Sequence, residues 1–315
     1  MSKRILHLFT RTPLHVGAGA SVGAIDQPIV RERHTGFPVI PASSLKGTFA
    51  DVWNDGLLDE TNDRGETKKV RVTKDGGVSD AAWLFGSDSD KHASAGALQF
   101  SEARLLAFPI RSAKGSFAWI TCPLMLQRAA RDGVISAALL DGLTEPGDGQ
   151  ALFEVGETGK LNIRNALVLE EYAFGHREWP GLPAICKALA DLMPTDPVWQ
   201  EVTHRLVVLA NGMLSYFVKN ACEVAQHVRI SDETGTAADG ALFNQENVPG
   251  ESMFYSILHG VDERRASRGD GLRRNASTAL KTFAEKTDGG IFQFGGDAST
   301  GLGYCTVTLS HEKES

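Results

Sequence analysis

The sequence predicts an α+β fold, and the order of the elements near its start is the main reason. Hydrophobic periodicity predicts, in chain order, a strand over 4–10, a helix over 44–53, strands over 97–108 and 116–121, and a helix over 123–131. A β–α–β–β–α order is that of a split βαβ, ferredoxin-like domain, the fold that RNA-recognition motifs share. We therefore expect a ferredoxin-like (RNA-recognition-motif-like) core.

The rest of the chain adds elements and insertions to this core. The downstream patterns predict a strand over 162–171, a helical region over 180–205 broken at Pro194 and Pro197, a buried strand over 205–209, a helix over 212–221, a helix over 275–286 and a strand over 301–309. Two insertions are expected: a polar, lid-like surface region over about 55–96, and a protruding β-hairpin within about 222–250. A protruding hairpin with exposed apolar residues is costly unless a partner covers it, and a hairpin lying flat on the domain is the alternative. We interpret residues 1–315 as a single elaborated domain.

Composition and charge exclude several classes of function. Of the 315 residues, 42% are hydrophobic and 23% are charged, and the formal net charge is -7, with a pI of about 5.7. This balance argues against a free-standing nonspecific nucleic-acid binder, although a local basic groove still attracts phosphates. The four cysteines form no CxxC pair, so a structural zinc is not expected. We see no signal peptide and no stretch long enough to span a bilayer, so we expect a cytoplasmic protein without membrane contacts.

The stretch 14–47 is the most informative part of the sequence. It begins with glycines that permit positive φ and close approach by another chain, continues through a basic run, and ends in a loop that predicts a serine-capped helix start with a lysine nearby. Such a helix start binds anions such as phosphate, whereas an ordinary capped helix after a tight loop is the alternative. The candidate RNA-binding residues in this stretch are Gly17, Gly19, Arg31, Arg33, Ser43, Ser44 and Lys46.

The glycines at 17–23 nearly match the dinucleotide-binding fingerprint, G-x-G-x-x-G. Val22 stands where the third glycine belongs, and the extended run that follows, with Pro28, gives no helix where the fingerprint demands one. Because no Walker motif is present either, we do not expect a nucleotide cofactor.

Residues 15–47, HVGAGASVGAIDQPIVRERHTGFPVIPASSLKG, resemble the N-terminal signature of the RAMP superfamily of CRISPR systems. The stretches 83–87 and 97–119 and the glycine-rich tail 294–303 are also similar to this superfamily. The resemblance is strongest to the repeated backbone subunit of type III-B (Cmr-type) effector complexes. It implies the ferredoxin-like fold, with the hairpin as a thumb that wedges into the guide–target duplex. It also implies the partners: guide RNA (crRNA), complementary target RNA, other copies of the chain in a filament, and other type III-B effector subunits.

Catalysis is expected to depend on Asp26. RNA carries its own nucleophile, the 2′-hydroxyl, so the protein needs to add only in-line geometry and a metal or base. The resemblance places the catalytic aspartate of the family at Asp26, where a carboxylate in a flexible loop suits Mg²⁺ or Mn²⁺; a turn cap before Pro28 is the alternative. His15, at the mouth of the loop, is a second candidate, for orientation or proton transfer. Glu246 is the one carboxylate in the run after the hairpin where the family places an acidic residue.

The basic run 264–274 precedes the last predicted helix. With Arg273 and Arg274 it is either a second RNA-facing element or a solvated charged loop. Three functions follow from the sequence: a guide-bound, metal-dependent endoribonuclease subunit, a noncatalytic backbone that binds guide RNA, and a metal-independent endonuclease that processes precursor guide RNA through His15.

Overall fold

The structure is a computed structural model, and it describes residues 2–19, 24–53, 57–62, 64–71, 79–87, 89, 93–156, 159–230, 235–264 and 273–314. The strands are β1 Ser2–Thr10, β2 Val39–Ile40, β3 Leu58–Thr61, β4 Thr67–Val70, β5 Gly86–Ser87, β6 Ser94–Ala95, β7 Leu98–Phe100, β8 Ala103–Arg111, β9 Phe117–Thr121, β10 Gln150–Ala151, β11 Ala166–Leu169, β12 Tyr172–His176, β13 Leu206–Val208, β14 Glu223–Ile230, β15 Ala237–Asn247, β16 Met253–Gly260, β17 Ile291–Gln293, β18 Tyr304–Leu309 and β19 Lys313–Glu314. The α-helices are α1 Ala42–Asp51, α2 Asp80–Phe85, α3 Pro123–Asp132, α4 Leu182–Ala190, α5 Val202–Arg205, α6 Asn211–Asn220 and α7 Ala276–Thr287. The predicted mixture of helices and strands is confirmed.

A ten-stranded sheet lies at the centre of the described chain. Its main path has the order β13-β9-β8-β16-β1-β18-β17, and β2, β7 and β19 pair with β8, β16 and β1. β1 is antiparallel to both of its neighbours on this path, β16 and β18. Leu6 and Leu8 of β1 pack into one apolar cluster, and Ile5 and Phe9 pack into the other. Both faces of β1 are therefore covered, which explains why this strand is apolar almost throughout.

The strands next to β1 come from distant parts of the sequence. β1, α1, β8, β16, α7 and β18 follow one another in the chain, and their four strands lie side by side in the order β8-β16-β1-β18. The prediction that the strand at 116–121 and the helix at 123–131 complete the core was wrong. Both elements form, as β9 and α3, but β9 lies on the far side of β8 and runs parallel to β13. A hairpin requires only that its two strands be neighbours, so β16 is free to occupy the inner side of β8.

A cluster of phenylalanines holds two helices against one face of the sheet. Phe49 of α1 lies 5.1 Å from Phe283 of α7 between ring centroids, in the edge-to-face geometry that aromatic pairs favour. The Phe49 ring also contacts Phe292 and Phe294 at 5.2 Å and 5.5 Å. These contacts hold the start of the chain against its C-terminal segment.

The predicted cap of α1 was wrong. The helix begins at Ala42 with Pro41 as its N-cap, and no side chain accepts a hydrogen bond from its first turn. Ser43 and Ser44 therefore lie inside the first turn instead of capping it. Proline suits the position before a helix because it has no N–H to satisfy and its φ is already fixed. Lys46 follows within the helix and is exposed.

The predicted insertions contain small, separate elements. β14 and β15 form the expected hairpin and, among the described strands, pair only with each other; residues 231–234 between them lie outside the described residues. Between 57 and 95 the chain forms the pairs β3–β4 and β5–β6 around α2, whose side chains from Ala81 to Phe85 are buried. The helical region predicted over 180–205 is interrupted after α4, and a 3₁₀ turn at Trp199–Glu201 leads into α5.

Candidate functional site

The residues that follow β1 fold back on themselves as a narrow loop. Gly17 bridges to Ile29, the Ala18 N–H donates to the Pro28 carbonyl at 2.8 Å, and the Val30 N–H donates to the Val16 carbonyl at 2.8 Å. We call residues 15–31 the Asp26 loop; its tip at 20–23 lies outside the described residues.

The glycine-rich tail packs directly against this loop. The Gly296 N–H donates to the His15 carbonyl at 2.9 Å, and the Gly303 N–H donates to the Pro13 carbonyl at 2.8 Å. Gly295 has a φ of +79°, and a Cβ at this position would stand only 2.0 Å from the His15 carbonyl oxygen. Only glycine fits there, because both the backbone conformation and the close approach exclude a side chain.

His15 is buried, and its tautomer is fixed by the hairpin. Its Nδ1 lies 2.7 Å from the backbone carbonyl oxygen of Glu246. A carbonyl oxygen only accepts, so Nδ1 carries the proton of the neutral ring and Nε2 carries the lone pair. Nε2 faces the backbone of Gly17, where an added Cβ would stand 3.0 Å away. A side chain at residue 17 would therefore crowd this nitrogen, which lies beside the exposed glycine at the start of the loop.

Asp26 is exposed, and Asn244 of β15 forms hydrogen bonds with both its carboxylate and its backbone N–H. The Asn244 N–H donates to Asp26 Oδ2 at 2.8 Å, and the Asp26 N–H donates to Asn244 Oδ1 at 2.7 Å. Asn244 Nδ2 also donates to the Ala24 carbonyl at 3.2 Å. The hairpin base therefore fixes the Asp26 loop and directs one carboxylate oxygen, while the residue stays open to solvent.

Arg31 and Glu246 form an internal ion pair beneath the loop. Arg31 donates to Glu246 Oε1 at 2.5 Å and to the carbonyls of Gly36 and Val218 at 2.8 Å and 2.9 Å. Glu246 Oε2 accepts from the Ile29 N–H at 3.1 Å, and the Glu246 side chain is 5% exposed. Both oxygens of this carboxylate are thus engaged by the protein, so Glu246 and Arg31 hold the loop in place.

A third contact joins the hairpin base to the tail. Gln245 is buried, and its Nε2 donates to Asp297 Oδ2 at 2.6 Å. Sequence reasoning missed Asn244, Gln245 and Asp297, whose only signal was their position after the apolar arm of the hairpin or inside the glycine-rich tail. The loop, the hairpin base and the tail meet at one polar junction.

The other predicted RNA-binding residues have different environments. Gly17, Gly19, Arg33, Ser43 and Lys46 are exposed, and Ser44 is half-buried.

The two arginines of the second basic run differ as well. Arg273 is exposed, whereas Arg274 is paired with Glu263 and Asp80 and lies over the Trp83 ring at 3.9 Å. Of that run, residues 265–272 lie outside the described residues.

The donor set around Asp26 limits the kind of metal that fits. Within the described ranges, no group of three or more His, Cys, Asp or Glu side chains is positioned to hold an ion. One exposed carboxylate fits Mg²⁺ or Mn²⁺ that keeps most of its waters and is held mainly by RNA oxygens. It does not fit a metal held by protein ligands alone.

No helix in the described part of the chain is long and apolar enough to cross a membrane.

Comparisons with known proteins match nearly the whole chain. The family model of the RAMP superfamily matches residues 8–306. The CRISPR system Cmr endoribonuclease Cmr4 of Pyrococcus furiosus is 31% identical over 316 residues, which cover 98% of this chain and 96% of that protein. The structure of oligomeric Cmr4 from Pyrococcus furiosus matches with a TM-score of 0.70 at 25% identity, over 100% of both chains. A chain of the type III-B Cmr-beta complex bound to cognate target RNA shares the fold, with a TM-score of 0.68 at 18% identity over 98% of this chain and 96% of that one.

Proposed function

This chain belongs to the RAMP superfamily, and from that premise we propose that it is the repeated backbone subunit of a type III-B CRISPR ribonucleoprotein that binds guide RNA and cleaves complementary target RNA. Similarity to Cmr4 over almost the full length of both chains supports this role. The relative is named an endoribonuclease, which supports RNA cleavage as the reaction. Its oligomeric form supports a filament of copies along one guide, assembled with other type III-B subunits.

The topology supports a ferredoxin-like core for this subunit. The order β8-β16-β1-β18, with α1 and α7 as the connecting helices, is the strand order of that fold. On this interpretation all residues between β8 and β16 are an insertion, and the hairpin β14–β15 is its thumb. Val224, Val228 and Leu242 of the hairpin are among the most exposed large apolar side chains, which supports a wedge that packs against separated bases.

The observation that carries the proposal is the position of Asp26 at the base of this hairpin. Where the thumb separates a guide–target duplex, the phosphodiester nearest its base lies next to the Asp26 loop. Asn244 directs one Asp26 oxygen, and Asp26 is exposed to solvent. The chain therefore supplies orientation at the scissile step, while the target RNA supplies the 2′-hydroxyl as nucleophile.

The second group in this proposal is His15. In the neutral ring its Nε2 carries the lone pair and lies beside Gly17, so we assign this nitrogen the role of accepting or orienting the proton of the hydroxyl. Glu246 instead receives a positioning role, because both of its oxygens already accept hydrogen bonds from Arg31 and Ile29. A divalent ion, when bound with the RNA at Asp26, would neutralise charge on the phosphate.

Single-turnover cleavage of a guide-complementary RNA by the assembled complex tests this proposal. Asp26→Asn retains shape and hydrogen bonding but removes the charge, so cleavage should fall by about a hundredfold or more while guide and target binding stay unchanged. If the variant cleaves at the wild-type rate, Asp26 only caps a turn and takes no part in cleavage. Loss of guide binding in the variant would favour the noncatalytic backbone.

The metal is tested in the same assay. EDTA should abolish cleavage by the wild-type complex, and added Mg²⁺ or Mn²⁺ should restore cleavage. Cleavage that survives EDTA but is lost in His15→Ala would favour the metal-independent processing of precursor guide RNA.

A further inference from the structure

Gln245 lies between the two residues of β15 that hold the groups assigned to cleavage. Its neighbour Asn244 donates to Asp26 at 2.8 Å, and the carbonyl oxygen of its other neighbour, Glu246, lies 2.7 Å from His15 Nδ1. Consecutive residues of a strand are only about 3.3 Å apart along it and move together. A shift of β15 at this point would therefore displace the partners of Asp26 and His15 at the same time.

The side chain of Gln245 contacts the glycine-rich tail. Successive side chains of a strand point to opposite faces, so those of Asn244 and Gln245 leave β15 on opposite sides. Gln245 is 1% exposed, and its Nε2 donates to Asp297 Oδ2 at 2.6 Å. The reverse orientation of the amide would bring its oxygen against a carboxylate oxygen, and both of these atoms only accept. The carboxylate of Asp297 therefore decides how the buried amide is oriented.

Asp297 is itself held in place by backbone contacts. Its φ is +61°, a left-handed conformation that aspartate adopts more readily than most residues. Its carbonyl accepts from the N–H and the Oγ1 of Thr300 at 3.0 Å and 2.9 Å. The preceding residue, Gly296, donates its N–H to the His15 carbonyl at 2.9 Å. The partner of Gln245 is thus fixed to the same segment that carries His15.

Stability alone does not explain a glutamine at position 245. Its Oε1 is buried and has no hydrogen-bond partner among the described residues. A buried carbonyl oxygen without a partner lowers stability, and an apolar side chain of the same length would avoid that loss. What glutamine supplies, and an apolar residue would not, is the bond to Asp297. Departures of this kind from the most stable choice are expected at functional sites.

We infer that Gln245 and Asp297 are a positioning pair for cleavage. The carboxylate of the tail sets the position of the hairpin base, and the hairpin base in turn positions Asp26 and His15. The inference rests on the proposed function and adds the glycine-rich tail to the parts of the chain on which the rate depends. A misplacement of about 1 Å at a reacting group costs up to about a hundredfold in rate, so the loss of one hydrogen bond at this point is sufficient to be measured.

The first test is Gln245→Met in the assembled complex. Methionine keeps the length of the side chain and removes the donor. We expect single-turnover cleavage to fall by about ten- to a hundredfold with unchanged target binding. The melting temperature should stay at or above that of the wild type, because the buried carbonyl oxygen without a partner is lost with the amide. A residue that acted only through stability would instead lower the melting temperature together with the rate.

The second test changes the other member of the pair. Asp297→Ala should lower the rate as much as Gln245→Met, and the double variant should lose no more than either, since all three remove the same bond. Asp297→Asn keeps an oxygen that accepts from Gln245, so it should cleave within about threefold of the wild-type rate. The matched control is Ser299→Ala, an exposed residue of the same turn, which should cleave at the wild-type rate.

Three outcomes would overturn the inference: wild-type cleavage by Gln245→Met or Asp297→Ala, a fall in melting temperature that accounts for the lost rate, or loss of target binding in place of rate. Asp26→Asn separates this inference from the proposed function. If the wild type cleaves and Asp26→Asn does not, normal cleavage by Gln245→Met counts against the positioning pair alone.

Hydrogen exchange tests the same positioning without a reaction. The N–H groups of Asn244 and Glu246 donate to Asp26 Oδ2 and to the Gln27 carbonyl. Both should exchange faster in Gln245→Met, because the hairpin base opens locally once its bond to the tail is lost. Unchanged exchange at both groups would refute the positioning pair even if the wild-type complex cleaves no RNA.

Discussion

The Asp26 loop and the cleft lined by Lys46 of α1 and Lys69 of β4 use polar side chains in opposite ways. In the loop, almost every charge has a protein partner: Arg31 is paired with Glu246, and Asp26 is held by Asn244. In the cleft, Lys46 and Lys69 are exposed and make no ion pair among the described residues. Charged side chains that are paired within the protein hold the loop in one conformation. Exposed lysines without an ion-pair partner among the described residues remain available to bind anions. Variants in the loop should therefore change stability or rate, and variants in the cleft should change affinity.

The largest expected effect is on stability and comes from Arg31→Met. This change removes the cation while keeping most of the aliphatic stem, so the buried Glu246 carboxylate loses its partner. An unpaired buried charge of this kind costs about 3–5 kcal/mol, which urea unfolding at neutral pH would measure. Arg33→Met is the matched control, because the exposed Arg33 should be worth less than about 0.5 kcal/mol.

A second variant sharpens this result. Adding Glu246→Gln to Arg31→Met removes the stranded charge and should recover much of the lost stability. Equal stability of Arg31→Met and Arg33→Met, together with weaker RNA binding by the former, would make Arg31 an RNA contact and remove the contrast between the two regions.

The next effect is on rate and comes from Asn244→Ala. The backbone N–H of residue 244 still donates to Asp26, but the side-chain bonds to the Asp26 N–H and the Ala24 carbonyl are lost. A misplacement of about 1 Å at a reacting group costs up to about a hundredfold, so we expect single-turnover cleavage to fall by about ten- to a hundredfold with unchanged binding. Gln226→Ala changes the exposed cross-strand neighbour of Asn244 and should cleave normally. Equal rates for the two variants would mean that backbone contacts alone position the loop.

The smallest effect lies outside both regions and separates stability from chemistry. Burial, with a smaller contribution from the charge of Asp196, raises the pKa of Glu251 to about 6 from an ordinary value of 4.5. The folded state therefore keeps a proton that the unfolded chain releases, so stability falls as the pH rises from 4.5 through 6. Solvent screening reduces this loss to about 1 kcal/mol.

Glu251→Gln tests this pH dependence directly. Urea unfolding at pH values on either side of this window should show that the variant lacks this part of the fall in stability. Cleavage measured at the same pH values should not follow the substitution. A variant with the wild-type pH profile of stability would show that the pKa of Glu251 is the same in the folded and the unfolded chain.

Local pattern was sufficient for most individual elements. The apolar residues of β1, the periodicity of α3 and α7, and the prolines that lie beyond the end of α4 all act within a few residues, so the sequence predicted each of these features. The family resemblance identified the glycine-rich tail, and the structure gives the reason for one of its glycines, because Gly295 meets a carbonyl that leaves no room for a side chain. The cap of α1 was misread, since serine and proline both suit a helix start and only the backbone path decides between them.

The neighbours of each element could not be predicted in the same way. Patterning determined that β9 and α3 form, but β16 came from more than a hundred residues away to take the place beside β1 and β8. The polar junction has the same origin: Arg31 meets Glu246 across 215 residues, and Asp26 meets Asn244 across 218. Thus the sequence alone determined the elements, the family resemblance and the loop that carries Asp26. Only the tertiary structure decided which charges are used internally and which are left for a ligand, because a hydrogen bond depends on two groups being within about 3 Å, and separation along the chain does not report that distance.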